Sequence, residues 1–260
     1  MRRPLVCALV TGALIVAVLG IVQPAGVLEG CDVVGYAVCH QIPERSFHLP
    51  GRPLPLCARC TGTFLGAMLG FGVIFARGRS RAGNVPPFPV LALFALFFVL
   101  WGADGLNSYL TLFEGLPHLY APHNTLRLAT GLLLGLTLSN LAYPVAGMTF
   151  WREPTPERSV ENLGELGLLL LLAGLLALAV LSGFAPLLYV LSVFSTLGVL
   201  LLLLLVNTLI ALVVMRRENQ ADRWRDLWAP ALLGALLTGG LIAGMNLLRA
   251  YLAVAFGVSF

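Results

Sequence analysis

The chain has 260 residues, 58% of them hydrophobic and only 11% charged, with a mean hydropathy of +0.91. Soluble domains carry about 25% charged residues and cannot hide this much apolar surface, so a water-soluble globular protein is excluded and lipid is the expected solvent. The net charge of +4 comes from sixteen arginines set in short runs between apolar segments, which argues against nucleic acid as a partner.

Apolar runs long enough to cross a bilayer predict an all-α integral membrane protein of about seven transmembrane helices. They are Leu5–Val22, Leu56–Ala76, Pro87–Asp104, Leu126–Gly147, Leu163–Gly183, Leu187–Met215 and Leu227–Phe256. The first follows a basic start and so also fits a signal peptide. Its apolar stretch is long for one and no Ala-x-Ala site follows, so a retained anchor is expected. A lipoprotein cysteine at Cys31 does not fit, because Glu29 precedes it and it lies well past the apolar run. Gly62, Gly66 and Gly70 in the second run, and Gly131 and Gly135 in the fourth, give small-xxx-small steps that permit close helix contact. The fifth and sixth runs are joined by Phe184-Ala185-Pro186 alone, a tight hairpin, and the sixth and seventh exceed one bilayer thickness.

Arginine assigns the sides. Arg2 and Arg3, Arg77, Arg79 and Arg81, Arg152 and Arg158, and Arg216, Arg217, Arg223 and Arg225 all fall on one side of the alternating spans. The positive-inside rule makes that side the cytoplasm, with a cytoplasmic amino terminus and an extracytoplasmic carboxyl terminus. The expected location is the cytoplasmic (inner) membrane of a prokaryote, with the lipid bilayer as principal partner. Residues 1–150 then hold four spans, residues 151–162 form a proline-bearing cytoplasmic linker, and residues 163–260 hold three leucine-rich spans. No internal repeat marks an inverted-repeat transporter.

The unusual chemistry lies on the other side. A first loop over about 23–55, too long for a simple connection, carries Cys31, Cys39, His40, Glu44, Arg45, His48 and Arg52. It runs into Pro55-Leu56-Cys57-Ala58-Arg59-Cys60, where the second span opens. A second loop over about 105–124 adds Glu114, His118 and His123, flanked by Asp104 and Arg127. All the histidines and four of the five cysteines share this side; Cys7 reads as ordinary core.

Three chemistries fit the cysteines. Cys57 and Cys60, with Cys39 and a histidine, make a tetrahedral N/S set of the kind zinc takes. A Cys-x-x-Cys at a helix amino terminus beside Arg59 also suits a redox pair, exchanging electrons with a quinone, with Cys31 and Cys39 as a shuttle. Two disulfides stapling an extracytoplasmic loop are the third. A covalent c-type haem is not expected, since no Cys-x-x-Cys-His occurs. Asp104 and Arg127 read as an ion pair, and the arginines also suit an anionic group bound by forked hydrogen bonds. Asn207, Asn246 and Arg249 either line a polar route or, for Arg249, reach past the lipid to the interface.

The stretch Cys39-His40-Gln41-Ile42-Pro43-Glu44-Arg45-Ser46-Phe47, followed by Pro55-Leu56-Cys57-Ala58-Arg59-Cys60-Thr61-Gly62, resembles a prokaryotic membrane family known as domain of unknown function 2085. Asp104-Gly105 and Asn124-x-x-Arg127-x-x-Thr130-Gly131 also resemble its later motifs, so the likeness covers about residues 30–140. It implies that Cys39, His40, Arg45, Cys57, Arg59, Cys60, Asp104, Asn124 and Arg127 form one site. That grouping favours a transition metal, zinc first, held by Cys39, His40, Cys57 and Cys60, with Arg45, Arg59, Asp104, Asn124 and Arg127 around it. Cys31, His48, His118 and His123 lie outside the pattern. Further expected partners are an anionic lipid or small molecule and other membrane subunits, docked through the leucine-rich spans. Whether the site is catalytic stays open.

Overall fold

The computed structural model describes residues 25–113 and 117–257. The first expected span, with Arg2, Arg3 and Cys7, lies outside them, as does Glu114. Among the described residues six helices are long and apolar enough to cross a membrane. The helices are α1 (Ala25–Val38), α2 (Ala58–Ala76), α3 (Phe88–Leu110), α4 (Asn124–Phe150), α5 (Leu163–Leu181), α6 (Ala185–Val214) and α7 (Trp228–Phe256). All but α1 are the spanning helices, α7 together with the 3-10 turn Trp224–Leu227 that precedes it.

Their boundaries follow local chemistry. Pro87 precedes α3 and Pro186 sits in the first turn of α6, positions where a missing N–H costs nothing. Asn162 accepts the Glu165 N–H at 3.0 Å and so caps α5. Two expectations need correction. The third span does not close at Asp104 but runs on to Leu110, because the polar residues Asp104, Asn107 and Ser108 are buried in protein rather than solvated in a loop. The first loop is not all loop: α1 occupies its start. Its Leu28, Cys31 and Gly35 follow helical spacing and are buried, and packing on α6 and α7 holds a helix that its glycines would not sustain alone.

The bundle is organised around α2 and α4, whose spans are 56% and 67% buried, against 22% for α3 and α5. Lipid supplies no hydrophobic drive between helices, so close backbone packing must do it. A methyl added at Gly62 would collide with the Leu128 carbonyl, and one at Gly131 with the Arg59 carbonyl. This contact sets the start of α2 beside the second turn of α4. Around the pair, α3 packs on α4, α6 on α2, and α7 on α6.

At the opposite end the arginine-bearing loops meet. Strands β3 (Ala82–Asn84) and β4 (Thr155–Arg158) pair in parallel, and Trp151 bridges to Ala221. Glu165 takes a fork from Arg79 at 2.7 and 2.9 Å and a further contact from Arg77. Arg81 lies over the Trp151 ring, 4.4 Å from its centroid.

Candidate metal centre

Between α1 and α2 the chain makes two reversals. Val38 ends α1, and Gln41 takes a left-handed conformation, φ 51°, which costs a non-glycine residue about 1 kcal/mol. Gln41 repays this with its side chain, whose amide donates to the Pro55 carbonyl at 2.8 Å and the Asp32 carbonyl at 3.3 Å. Gly35 makes room for that crossing, since a Cβ there would meet the Pro55 carbonyl. A 3-10 turn (Pro43–Arg45) and a hairpin of β1 (His48–Leu49) and β2 (Arg52–Pro53) then carry the chain back to Cys57. Cys-His-Gln is thereby tied beside Pro-Leu-Cys.

The result is a compact donor set. Ligand atoms of Cys39, His40 and Cys57 all lie within 4.8 Å of one another. The Cys57 backbone N–H donates to the Cys39 sulfur at 3.2 Å; Cys60, the fourth expected ligand, lies outside this group but close enough to shift the titration of the Cys39 and Cys57 thiols. Those donors, first the Cys57 and Cys60 thiols, hold the Cys39 thiol far below its usual range. Cys57, the donor to that thiolate, is correspondingly pushed up to about 11. His40 keeps one side open to solvent. Its Nδ1 accepts from the Ile42 N–H at 3.0 Å, which orients the ring. Partial burial, opposed by Cys39 and reinforced by Arg45, Arg127 and Arg59, lowers its pKa and favours the neutral form that ligates.

A polar layer from α2, α3 and α4 backs this set. Arg59, between the two Cys-x-x-Cys thiols, pairs with Asp104 and reaches the Asp104 carbonyl and the Ser108 hydroxyl, both at 3.1 Å. Asp104 also accepts from the Tyr120 hydroxyl at 2.8 Å and from Thr130 at 3.4 Å; burial, together with that carboxylate, pushes Tyr120 up to about 12. Arg127 donates to Ser108 at 3.3 Å and to Asn124 at 2.8 Å. Asn124 in turn donates to the Glu44 and Ser46 carbonyls at 3.2 and 3.3 Å. The expected Asp104–Arg127 ion pair is therefore corrected to Asp104–Arg59. Asp104 lies on α3 facing the first turn of α2, while Arg127 is engaged by Ser108 and Asn124. Among the described residues the Arg45 guanidinium makes no hydrogen bond or ion pair; only its backbone N–H is engaged, by the Ile42 carbonyl at 3.1 Å. Its pKa is lowered by burial and by the charge of Arg59.

Other expected residues fall elsewhere. His48, His118 and His123 are exposed and do not join the thiols. Cys31 lies in α1, eight residues before Cys39, a rise of about 12 Å, so the two cannot bond as a shuttle pair while the helix stands. It is buried instead, and that burial raises its thiol pKa. The four described cysteines are free thiols. Asn246 and Arg249 line no polar route but reach across to α1, Asn246 donating to the Val33 carbonyl at 2.9 Å and Arg249 to the Cys39 carbonyl at 2.6 Å. Asn207 donates to Thr238 at 2.9 Å, joining α6 to α7. Gly35, Ser108, Tyr120 and the roles of Gln41 and Arg249 escape sequence reading. Only Gln41, inside the Cys-His-Gln motif, carried a signal.

Fold and site together define a polytopic α-helical membrane protein with a cysteine–histidine cluster at one end of the bundle. A family described as "Predicted membrane protein (DUF2085)" matches residues 39–141. An uncharacterized protein of Methanothermobacter thermautotrophicus is 33% identical over 104 residues, 40% of this chain and 83% of the relative. An uncharacterized protein of Methanocaldococcus jannaschii is 27% identical over 110 residues, 42% of this chain; the chain spans only 63% of that relative's length. No solved structure matches. The chain belongs to the DUF2085 family of membrane proteins.

Proposed function

We propose that the protein carries a transition-metal centre, with zinc as the ion and Cys39, His40, Cys57 and Cys60 as its ligands. The observation that carries this reading is the convergence of Cys39, His40 and Cys57 ligand atoms within 4.8 Å; Cys60, at the start of α2, is the ligand that must move in to complete the set. A tetrahedral zinc site needs ligand atoms about 3.5–3.8 Å apart, so a contraction of about 1 Å at most brings the first three to ligand distance. By the distribution of arginines the site faces the extracytoplasmic side of a cytoplasmic membrane.

Charge supports a second component. A divalent ion with three thiolates carries one negative charge, Asp104 adds another, and Arg45, Arg59 and Arg127 supply three positive ones. The surplus positive charge suits an anionic group, a phosphate or carboxylate, taken by Arg45, whose charge acts on His40. The metal reading is tested by elemental analysis of gently purified protein. About one equivalent of zinc is expected, and Cys57→Ser should abolish it; wild-type protein without metal overturns it.

A thiol oxidoreductase is the competing reading, favoured by the Cys57-x-x-Cys60 spacing at the start of α2, which puts the two thiols near enough to shift each other's titration. There the two thiols would form a disulfide, giving up two electrons and two protons to a quinone that becomes quinol. A Cys57–Cys60 bond whose state follows quinone supply is its required signature.

A further inference from the structure

The geometry points to Arg249, near the end of the last helix, as a positioning residue for the Cys39–His40 ligand pair. This inference rests on the metal reading above. It concerns a part of the chain beyond the segment that the family match covers.

Arg249 lies seven residues before the end of α7, roughly 10 Å along the helix. An arginine at that depth in a span is costly unless it finds partners. It finds them on α1. Its Nη1 donates to the Tyr36 carbonyl and, at 2.6 Å, to the Cys39 carbonyl, while its guanidinium stacks 4.0 Å from the Tyr36 ring centroid. The last carbonyls of a helix have no partner within it and form its negative end. Arg249 therefore does for α1 what a C-terminal cap would do, and the second carbonyl it takes belongs to a proposed ligand.

Cys39 is in this way held from two directions. Its backbone is gripped by α7 through Arg249, and its sulfur receives the Cys57 N–H at 3.2 Å from the start of α2. The next two residues are His40 and the left-handed Gln41, so the segment is bent and needs an anchor on its amino-terminal side. Gln41 anchors the other side through the Pro55 carbonyl. Removal of the guanidinium leaves the helices packed but frees the Cys39 backbone to drift from the thiols it faces. Asn246, one turn earlier, ties α7 to the Val33 carbonyl without touching the ligand pair. It provides a control for helix docking alone.

The test is a cobalt titration of the full chain in mild detergent, reading the thiolate-to-cobalt absorption bands and competing cobalt with zinc. Loss of an outer partner of a metal ligand weakens metal binding by about 10–100-fold. Arg249→Gln should weaken cobalt and zinc by that factor and shift the ligand-field bands, Arg249→Lys should fall between it and wild type, and Asn246→Ala should stay within about twofold of wild type. Wild-type affinity and spectrum in Arg249→Gln, or an equal loss in Asn246→Ala, overturns the assignment while leaving the metal reading intact. Should the glutamine variant not fold, wild-type affinity in Arg249→Lys is the overturning result. A wild-type chain that takes up no cobalt overturns the metal reading itself, and the role of Arg249 with it.

Discussion

The ion pair between Arg59 and Asp104 invites a quantitative test, because its two sides are hydrated unequally. Asp104 is 2% exposed and Arg59 18%. Asp104→Asn keeps the side-chain shape and an acceptor for Tyr120, but removes the only carboxylate bonded to the arginine layer among the described residues. Breaking a buried pair from one side costs about 3–5 kcal/mol. The residual hydration of Arg59 places the loss at the lower end, about 3 kcal/mol. At about 2–4 °C per kcal/mol for a chain of this size, the melting temperature should fall by about 6–12 °C. The assay is thermal denaturation in mild detergent of wild type, Asp104→Asn, Arg59→Gln and the double variant. Since most of each single loss is a charge left unpaired, the double variant should lose less than the sum by about 2 kcal/mol. Losses that add to within about 0.5 kcal/mol would refute the pairing.

The glycines of the central helix pair make a second prediction. Gly131→Ala drives a methyl against the Arg59 carbonyl, where neither helix backbone can yield, and should cost about 1–3 kcal/mol. Gly102→Ala meets nothing within 4 Å and should be neutral or stabilise by up to about 1 kcal/mol; equal melting shifts at the two positions would count against the packing argument. Proton linkage gives a third. Cys39 is held as the thiolate and His40 is favoured in its neutral form, but Cys57, with its pKa pushed up to about 11, and the Cys60 thiol must both surrender a proton on binding. Protons compete with the metal, so apparent affinity should rise between pH 6 and 9, by about tenfold per unit for each proton displaced. Calorimetric heats should differ between buffers of unlike ionisation enthalpy, and identical heats would contradict it.

Much of the architecture can be read from the amino-acid order, for a clear reason. A span must be apolar over its whole length, so the six runs from Leu56 onward stand out, and only their ends shift. Polar residues at a span's end defeat this reading: Asp104, Asn107 and Ser108 resemble a loop unless one knows that α4 and Tyr120 bury them. Helix α1 is hidden for the opposite reason. With three glycines and two acids in fourteen residues it has no convincing local signal, and contacts with α6 and α7 decide its state. The convergence of Cys39 and His40 with Cys57 is legible from motif spacing, since both segments adjoin the same short hairpin. The pairing of Arg59 with Asp104, rather than Arg127 with Asp104, depends on helix rotation about the α2–α4 contact, where Gly62 meets Leu128 and Gly131 meets Arg59, and no linear pattern encodes that rotation.

The hydrogen bond from Arg249 to the Cys39 carbonyl joins residues 210 apart in sequence, and that separation has a consequence in time. Chains are made from the amino end at about 5–20 residues per second, so Arg249 follows Cys39 out of the ribosome by about 10–40 s. For about nine tenths of that interval Cys39, Cys57 and Cys60 are all synthesised while their anchor is not. The nascent protein thus passes through a stage with unclamped thiols, and completion of the last helix marks the end of it.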